Sequence, residues 1–211
     1  TWGANRGVIV AAKLTFWYDF VSTYSYLSGM RIEQAAQAAG VQVEYRPFLL
    51  GVVLRERGWE KGPVEAFPVK VAYMWRDLER RAAKCGFAFC RPGRFPRHSL
   101  LANRVATLAA EEGWVAAFTR GCFAANFIED RDIGDAAVLA DVVEACGLNG
   151  AQALERAVTQ EIKDRLRTST DKALERGIFG APSFTVGDEL FWGDDRLADA
   201  LDWARDGARD G

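Results

Sequence analysis

The sequence predicts an α/β fold in which a βαβ unit and a ββα unit build one sheet, with a large all-helical insertion between them. Strand-like patterns occur near the two ends of the 211-residue chain, and helical patterns fill the long stretch that separates them. The length suits one domain with a large insertion, because domains commonly hold roughly 100–200 residues.

The first unit begins with residues 13–20 (KLTFWYDF), whose aromatic and threonine content predicts a buried strand. Residues 26–39 predict one helix, which ends at Gly40. Residues 41–47 alternate between apolar and polar side chains and predict a second strand. A strand, a helix and a strand in this order form a βαβ unit, whose crossover is right-handed.

The middle of the chain has a different character. Residues 48–68 are rich in glycine and proline and predict a loop. A second loop is predicted over residues 87–96. Helices are predicted over residues 69–86, 98–112, 114–125, 135–146 and 150–176.

The strand signal returns near the end of the chain. Residues 183–186 and 189–192 flank Gly187 and Asp188, a pattern typical of a hairpin, and a last helix follows over residues 196–204. The complete order is that of a thioredoxin-like sheet with a helical insertion. We therefore assign the chain to the following segments: 1–10, an upstream extension or a cloning remnant; 11–48 and 178–211, the thioredoxin-like domain; and 49–177, the helical insertion domain.

Composition excludes several classes of function. The net charge of −2 removes the main electrostatic reason to expect a nucleic-acid partner. No apolar run approaches the roughly 20 residues of a membrane span, so we expect no membrane partner. The four cysteines form no C-x-x-C pair and His98 is the single histidine, so we expect no metal site. Reduced thiols and the lack of a signal-peptide pattern point to the cytoplasm.

The segment Ser22-Thr23-Tyr24-Ser25 occupies the start of the first helix, where redox-active relatives of this fold carry C-x-x-C. Serine cannot shuttle electrons, which excludes disulfide exchange through these residues. The backbone N–H groups of a helix start favour an anion, including a thiolate that a ligand supplies, and Ser22 can donate a hydrogen bond to its sulfur. A helix-capping role explains Ser22 equally well.

Two further motifs have both a structural and a functional interpretation. Pro182 begins a strand, or it follows a cis peptide bond that faces Ser22 and leaves the Ala181 backbone free to pair with an extended ligand. The acids of residues 192–195 (Trp-Gly-Asp-Asp) cap the last helix, or one of them pairs with a ligand's ammonium group. His98 is a general base or, more simply, a cap or surface group.

Residues 16–27 (FWYDFVSTYSYL) resemble the opening of the 2-hydroxychromene-2-carboxylate isomerases and of the related kappa-class glutathione transferases. Residues 177–182 (GIFGAP) and 191–197 (FWGDDRL) resemble the closing motifs of these proteins. Residues 76–80 (RDLER) and 95–96 (FP) fit their helical insertion. The order and spacing of the motifs together make the resemblance specific.

The resemblance implies a DsbA-like thioredoxin fold, bound glutathione as the cofactor, and a homodimer. It places the catalytic serine on Ser22. The implied glutathione-binding residues are Ser22, Ala181, Pro182, Trp192, Gly193, Asp194 and Asp195. Two departures stand out: Thr23 replaces a common proline, and the segment after the second strand is mostly apolar where the isomerases hold their substrate with polar side chains. Arg55 and Phe95 are therefore our candidates for the substrate pocket.

The function implied is glutathione-dependent cis–trans isomerisation, which opens 2-hydroxychromene-2-carboxylate-type catabolites to trans-o-hydroxybenzylidenepyruvate. Such a small aromatic carboxylate arises in aromatic hydrocarbon catabolism, as in naphthalene degradation. A thiolate that adds reversibly to the conjugated alkene allows rotation and is then eliminated unchanged. Two alternatives remain open at this point: a kappa-like glutathione transferase, and a redox-inactive thioredoxin-like module that binds peptides beside Pro182.

Overall fold

The computed structural model describes residues 12–59 and 67–207. In this part of the chain four strands and ten α-helices follow one another. The strands are β1 (Lys13–Tyr18), β2 (Gln42–Pro47), β3 (Ser183–Val186) and β4 (Glu189–Trp192). The helices are α1 (Thr23–Gly29), α2 (Ile32–Ala39), α3 (Leu50–Glu56), α4 (Pro68–Cys85), α5 (Leu100–Glu112), α6 (Val115–Phe127), α7 (Ala136–Ala145), α8 (Gly150–Ala157), α9 (Gln160–Glu175) and α10 (Leu197–Gly207), the last preceded by a 3-10 turn (Asp194–Arg196).

The four strands form one mixed sheet in the order β2-β1-β3-β4. β1 and β2 are parallel, with Lys13 opposite Gln42. β3 is antiparallel to β1, with Phe184 opposite Phe16, and it forms the predicted hairpin with β4. The thioredoxin-like fold class with a helical block between its two strand units is confirmed.

The core lies around β1, which explains the apolar run that predicted this strand. Phe16 stacks on Tyr18 at 4.6 Å and on Phe184 at 5.5 Å between ring centroids. Phe20, just beyond the strand, packs against Phe123 of α6 at 4.9 Å. β1 is an inner strand of the sheet, and its residues from Phe16 to Tyr18 are buried on both faces, whereas Lys13 at its start is exposed.

The first helix is shorter than predicted, because residues 26–39 do not form one continuous helix. α1 begins at Thr23 and ends at Gly29, and α2 begins at Ile32. A β-carbon on Gly29 would lie 2.6 Å from the Phe123 ring, so the missing side chain lets α6 approach α1 closely. Arg31, the residue before α2, binds Asp194 through its guanidinium.

Two other helical predictions are corrected. Residues 48–68 are not a loop throughout, since α3 (Leu50–Glu56) lies within them and its Val53 is fully buried. Residues 150–176 form two helices rather than one. The break falls at Thr159, whose extended backbone starts α9 while its hydroxyl donates to the Arg156 carbonyl at the end of α8.

Two absences concern the described ranges alone. Over residues 12–59 and 67–207 no helix combines the length and the apolar character that a bilayer crossing requires. The same residues hold no group of three or more side chains suited to a metal ion. The division into a thioredoxin-like domain and an insertion at residues 49 and 178 stays a prediction, and residues 1–10 lie outside the described part.

Candidate active site

Ser22 lies at the point where β1 has ended and α1 begins, and it is 8% exposed. Its Oγ accepts a hydrogen bond from the Ser25 backbone N–H at 3.2 Å, so Ser22 caps α1 as the structural interpretation predicted. The same hydroxyl donates to the carbonyl oxygen of Ala181 at 2.8 Å. One side chain therefore joins the start of the first helix to the loop before β3.

The Ala181–Pro182 peptide bond is cis, as the functional interpretation required. β3 begins at Ser183, so the Ala181 backbone lies outside the sheet ladder. The Pro182 carbonyl in turn accepts a hydrogen bond from the Gly193 N–H at 3.0 Å. Hydrogen bonds therefore link Ser22 to Ala181 and Pro182 to Gly193, which brings together the start of α1, the segment before β3 and the loop after β4.

Asp19 is a buried acid that the sequence did not single out, and its hydrogen bonds fix the backbone of the segment that leads to Ser22. Asp19 is 2% exposed, and its backbone carbonyl accepts from the Ser22 N–H at 2.9 Å. Its carboxylate accepts from the backbone N–H groups of Val21 and Leu50 and from the Asn103 side-chain amide. Burial raises the pKa of this carboxyl above its ordinary value. In the sequence, the signal for Asp19 is a single acid within an aromatic run, residues 16–20 (FWYDF).

The aromatic wall beside Ala181 consists of Trp192 and Phe179, whose ring centroids are 5.0 Å apart. Trp192 is 52% exposed and Phe179 is 45% exposed. A β-carbon on Gly180 would overlap the indole nitrogen of Trp192, so Gly180 allows the indole to lie over the backbone that leads to Pro182. Exposed aromatic rings of this kind offer apolar contact to a ligand.

The two acids of the predicted ligand site have different environments. Asp194 is 2% exposed, and its side chain accepts from Ser28 and binds Arg31 and Arg81. Asp195 is exposed and pairs with Arg196 at 2.9 Å. The hydrogen bond from Arg196 holds the pKa of Asp195 below its ordinary value. Asp195 is accordingly an accessible carboxylate, and Asp194 is an internal one.

The two predicted substrate-pocket residues are not hydrogen-bonded to Ser22. Arg55 is exposed on α3 and donates from Nε to the Gly51 carbonyl at 3.3 Å. Phe95 is half-buried and packs edge-on against Trp75 at 4.8 Å. His98 is exposed and precedes α5, which agrees with the simpler interpretation of a surface group.

A groove of about 750 Å³ runs along β2, on another part of the molecule. Val43 and Tyr45 of β2 line it together with Glu111 of α5 and Arg165 of α9. None of the predicted site residues borders this groove, so we locate the candidate active site from side-chain geometry rather than from cavity volume.

Comparison with known proteins gives a consistent result. The model of the DsbA-like thioredoxin domain family matches residues 13–202. A 2-hydroxychromene-2-carboxylate isomerase of Sphingobium xenophagum is 31% identical over 186 residues, which cover 87% of this chain and 93% of the relative. Glutathione S-transferase kappa 1 of Caenorhabditis elegans is 27% identical and covers 90% of each chain.

Solved structures agree with these sequence relatives. A structure of 2-hydroxychromene-2-carboxylate isomerase superimposes with a TM-score of 0.83 at 27% identity, covering 94% of this chain and 99% of the other. The cytosolic disulfide reductase DsbM of Pseudomonas aeruginosa, solved with glutathione, has a TM-score of 0.65 at 19% identity and covers 94% of this chain and 98% of the other. The latter similarity supports the fold alone.

Proposed function

The chain belongs to the DsbA-like thioredoxin family, among the relatives of the 2-hydroxychromene-2-carboxylate isomerases, and on this premise we propose that it is a glutathione-dependent cis–trans isomerase of small aromatic carboxylates. The observation that carries the proposal is the hydrogen bond between Ser22 and Ala181. It joins a serine in place of a redox cysteine to the backbone beside a cis-proline. The site can therefore hold a thiol without oxidising it.

The residues present fit the chemical groups of glutathione. Ser22 offers a hydroxyl donor to a sulfur atom, and the Ala181 backbone lies outside the sheet and suits an extended peptide. The exposed carboxylate of Asp195 suits an ammonium group. Gly193 has φ of 109°, a conformation that favours glycine, and a β-carbon there would lie 2.6 Å from Asp195 Oδ1. The conformation of this loop therefore requires glycine at position 193.

Bound glutathione supplies a thiolate nucleophile, and reversible thiolate addition makes a conjugated double bond rotatable. The task of Ser22 is to stabilise that thiolate. Its single hydroxyl proton points to the Ala181 carbonyl, so the hydroxyl rotates when it donates to sulfur instead. α1 is two turns long, and we therefore assign more of the stabilisation to the Ser22 hydroxyl than to the helix end.

The substrate wall in this proposal is α3, whose first N–H is fixed by Asp19. Leu50 and Ala181 both pack against a small apolar cluster that contains Val53, so the start of α3 and the segment before Pro182 share one apolar cluster. Arg55, one and a half turns further along α3, provides a cation for the substrate carboxylate. We keep Phe95 as a second wall of the pocket, where its ring packs with Trp75.

A paired assay tests the proposed function. The protein is incubated with glutathione and either 2-hydroxychromene-2-carboxylate or 1-chloro-2,4-dinitrobenzene, and product and free thiol are measured together. We expect ring opening of the first compound with no loss of thiol. Ser22→Ala should abolish most of this activity. Ser25→Ala is the matched control, because the Ser25 hydroxyl is buried and has no hydrogen-bond partner among the described residues.

The kappa-class relatives make a glutathione transferase the second candidate. Thiol consumption with the chloroarene, and no ring opening of the chromene, would establish the transferase instead. A chain that shows neither activity and no calorimetric binding of glutathione would support the third candidate, a redox-inactive binding module.

We also propose that the enzyme is a homodimer that acts in the cytoplasm. All four cysteines are free, which suits a reducing compartment. Light scattering behind a gel-filtration column measures the molar mass, and we expect twice the chain mass. A monomer would contradict the proposed dimer and leave the chemistry of Ser22 unaffected.

A further inference from the structure

Asp194 stands out because its buried carboxylate meets two cations. Its Oδ1 accepts from Ser28 at 3.0 Å and from Arg31 at 2.8 Å, and its Oδ2 pairs with Arg81. Arg31 also binds the Asp194 backbone carbonyl at 2.7 Å. The Asp194 side chain is 1% exposed, whereas those of Arg31 and Arg81 are 31% and 30% exposed.

The charges in this cluster do not cancel. A buried carboxylate needs one positive partner, and Arg31 provides it through two contacts to Asp194. Arg81 adds a second positive charge, so Asp194, Arg31 and Arg81 together carry a surplus of one positive charge. Within the described part of the chain, Asp194 is the hydrogen-bond acceptor of Arg81, which leaves further guanidinium donors for another group.

The surplus charge lies beside the side chain of Tyr24, in the first turn of α1. The Arg81 guanidinium is 5.9 Å from the centre of the Tyr24 ring, and Tyr24 follows Ser22 by two residues in the first turn of α1. On its other side Arg81 acts on Asp195: the hydrogen bond from Arg196 and, more weakly, the charge of Arg81 hold the pKa of Asp195 below its ordinary value. Arg81 therefore lies between α1 and the loop of residues 193–195.

Neighbouring arginines are less suited to bind a ligand. Arg196 pairs with two exposed carboxylates, Asp195 and Asp199, so no buried partner fixes its position. Arg80 pairs with Asp77 and lies over the Tyr73 ring, which is exposed. Arg81 differs from both because the buried carboxylate of Asp194 holds it in place and is shared with a second cation, Arg31.

We propose that Arg81 binds the carboxylate of the γ-glutamyl end of glutathione, while the exposed carboxylate of Asp195 binds the ammonium group on the same carbon atom. This inference rests on the proposed function, and it adds a ligand contact from the helical insertion that the closing motif of residues 191–197 does not contain. Asp194 is then a positioning residue that directs Arg81 toward the ligand.

Isothermal titration calorimetry of two ligands with four proteins tests the inference. The ligands are glutathione and an analogue with a hydrogen atom in place of the γ-glutamyl carboxylate. The proteins are the wild type, Arg81→Leu, Arg81→Lys and the control Arg76→Leu, which removes an exposed charge paired with Glu79 on the same helix. Thermal melting confirms that each variant is folded.

We expect Arg81→Leu to weaken glutathione binding by about tenfold and analogue binding by less than about twofold, because one charged hydrogen bond is lost for glutathione alone. Arg81→Lys should recover part of the affinity for glutathione, and Arg76→Leu should match the wild type. If Arg81→Leu lowers the affinity for both ligands equally, this inference is refuted and the proposed function stands. A wild-type protein that binds neither ligand would refute both.

Discussion

The Ser22 hydroxyl and the Ala181 carbonyl oxygen are joined by a 2.8 Å hydrogen bond between residues 159 positions apart in the sequence. A hydroxyl has one proton to donate, so this bond and a bond from Ser22 to a ligand's sulfur exclude each other. The Ala181 carbonyl is consequently released for another donor whenever Ser22 turns to sulfur. In the proposed function, the binding of a thiol and the pairing of a ligand with the Ala181 backbone are thus linked through one proton.

This relationship predicts how Ser22→Ala changes the bound thiol. A hydrogen bond to a charged acceptor contributes about 1.5–3 kcal/mol, and one pKa unit corresponds to about 1.4 kcal/mol. We expect the variant to raise the pKa of bound glutathione by about 1–2 units, so that activity at neutral pH falls and recovers as the pH rises. Ultraviolet absorbance of the thiolate across a pH series measures the shift. An unchanged pKa would show that Ser22 only caps α1.

Gly180→Ala tests the contact between the backbone and Trp192. The new β-carbon would overlap the indole nitrogen, so Trp192 must leave its place beside Phe179. We expect a loss of about 1–3 kcal/mol in the free energy of unfolding and a change in tryptophan fluorescence. Gly51→Ala is the matched control, because a β-carbon there meets no atom within 4 Å, and unaltered fluorescence in Gly180→Ala would contradict the prediction.

Asp19→Asn should change the pH dependence of stability. Burial raises the pKa of Asp19 in the folded state, so the folded protein holds its proton more tightly than the unfolded chain does. The contribution of Asp19 to the free energy of unfolding is therefore greatest below the pKa of an unfolded aspartate, about 3.9. It declines as the pH rises through the higher pKa of the folded state. Asn carries no such charge. The variant should lack this decline.

Urea unfolding of the wild type and Asp19→Asn over a pH series isolates that contribution, because the other acids are common to both proteins. Asn also replaces one acceptor oxygen with a donor, so we expect a pH-independent loss of about 1–3 kcal/mol at the Leu50 contact. Parallel curves for the two proteins would show that Asp19 has no raised pKa.

A double variant, Ser22→Cys with Ser25→Cys, should restore a redox-active pair. The Ser25 N–H reaches Ser22 Oγ at 3.2 Å, so both side chains lie in the first turn of α1 as in a C-x-x-C motif. We expect oxidised glutathione to convert the two new cysteines of the double variant into an internal disulfide, with the loss of two protein thiols and the release of two molecules of reduced glutathione. Each single variant has one new cysteine and should form no internal disulfide at this position. Thiol titration with the four free native cysteines as background measures the change.

Local patterns in the sequence were enough to predict the four strands and most helices. The alternation in β2 and the aromatic run of β1 reflect which strand faces are buried. Because successive side chains of a strand point to opposite faces, such a pattern can be recognised within a few residues. The break between α1 and α2 was not predictable in this way. Gly29 and Arg31 flank the break, and they contact Phe123 and Asp194, which come from distant parts of the chain.

The same distinction applies to the candidate site. Residue types and motif order identified Ser22, Ala181–Pro182 and the loop of residues 192–195. They could not reveal that Asp194 is internal and Asp195 is exposed, because two adjacent acids look alike until the fold surrounds one of them. They also gave no reason to include Asp19 or Arg81, whose partners lie on other elements.

Hydrophobic periodicity, turn residues and motif spacing are properties of short segments, and they determined the order of the strands, the class of fold and the absence of a redox cysteine at residue 22. Tertiary packing alone decided which carboxylates are buried, which peptide bonds before proline are cis, and which two arginines share the buried Asp194. The physical reason is that desolvation and charge pairing depend on distances between groups far apart in the chain, and those distances exist only once the chain has folded.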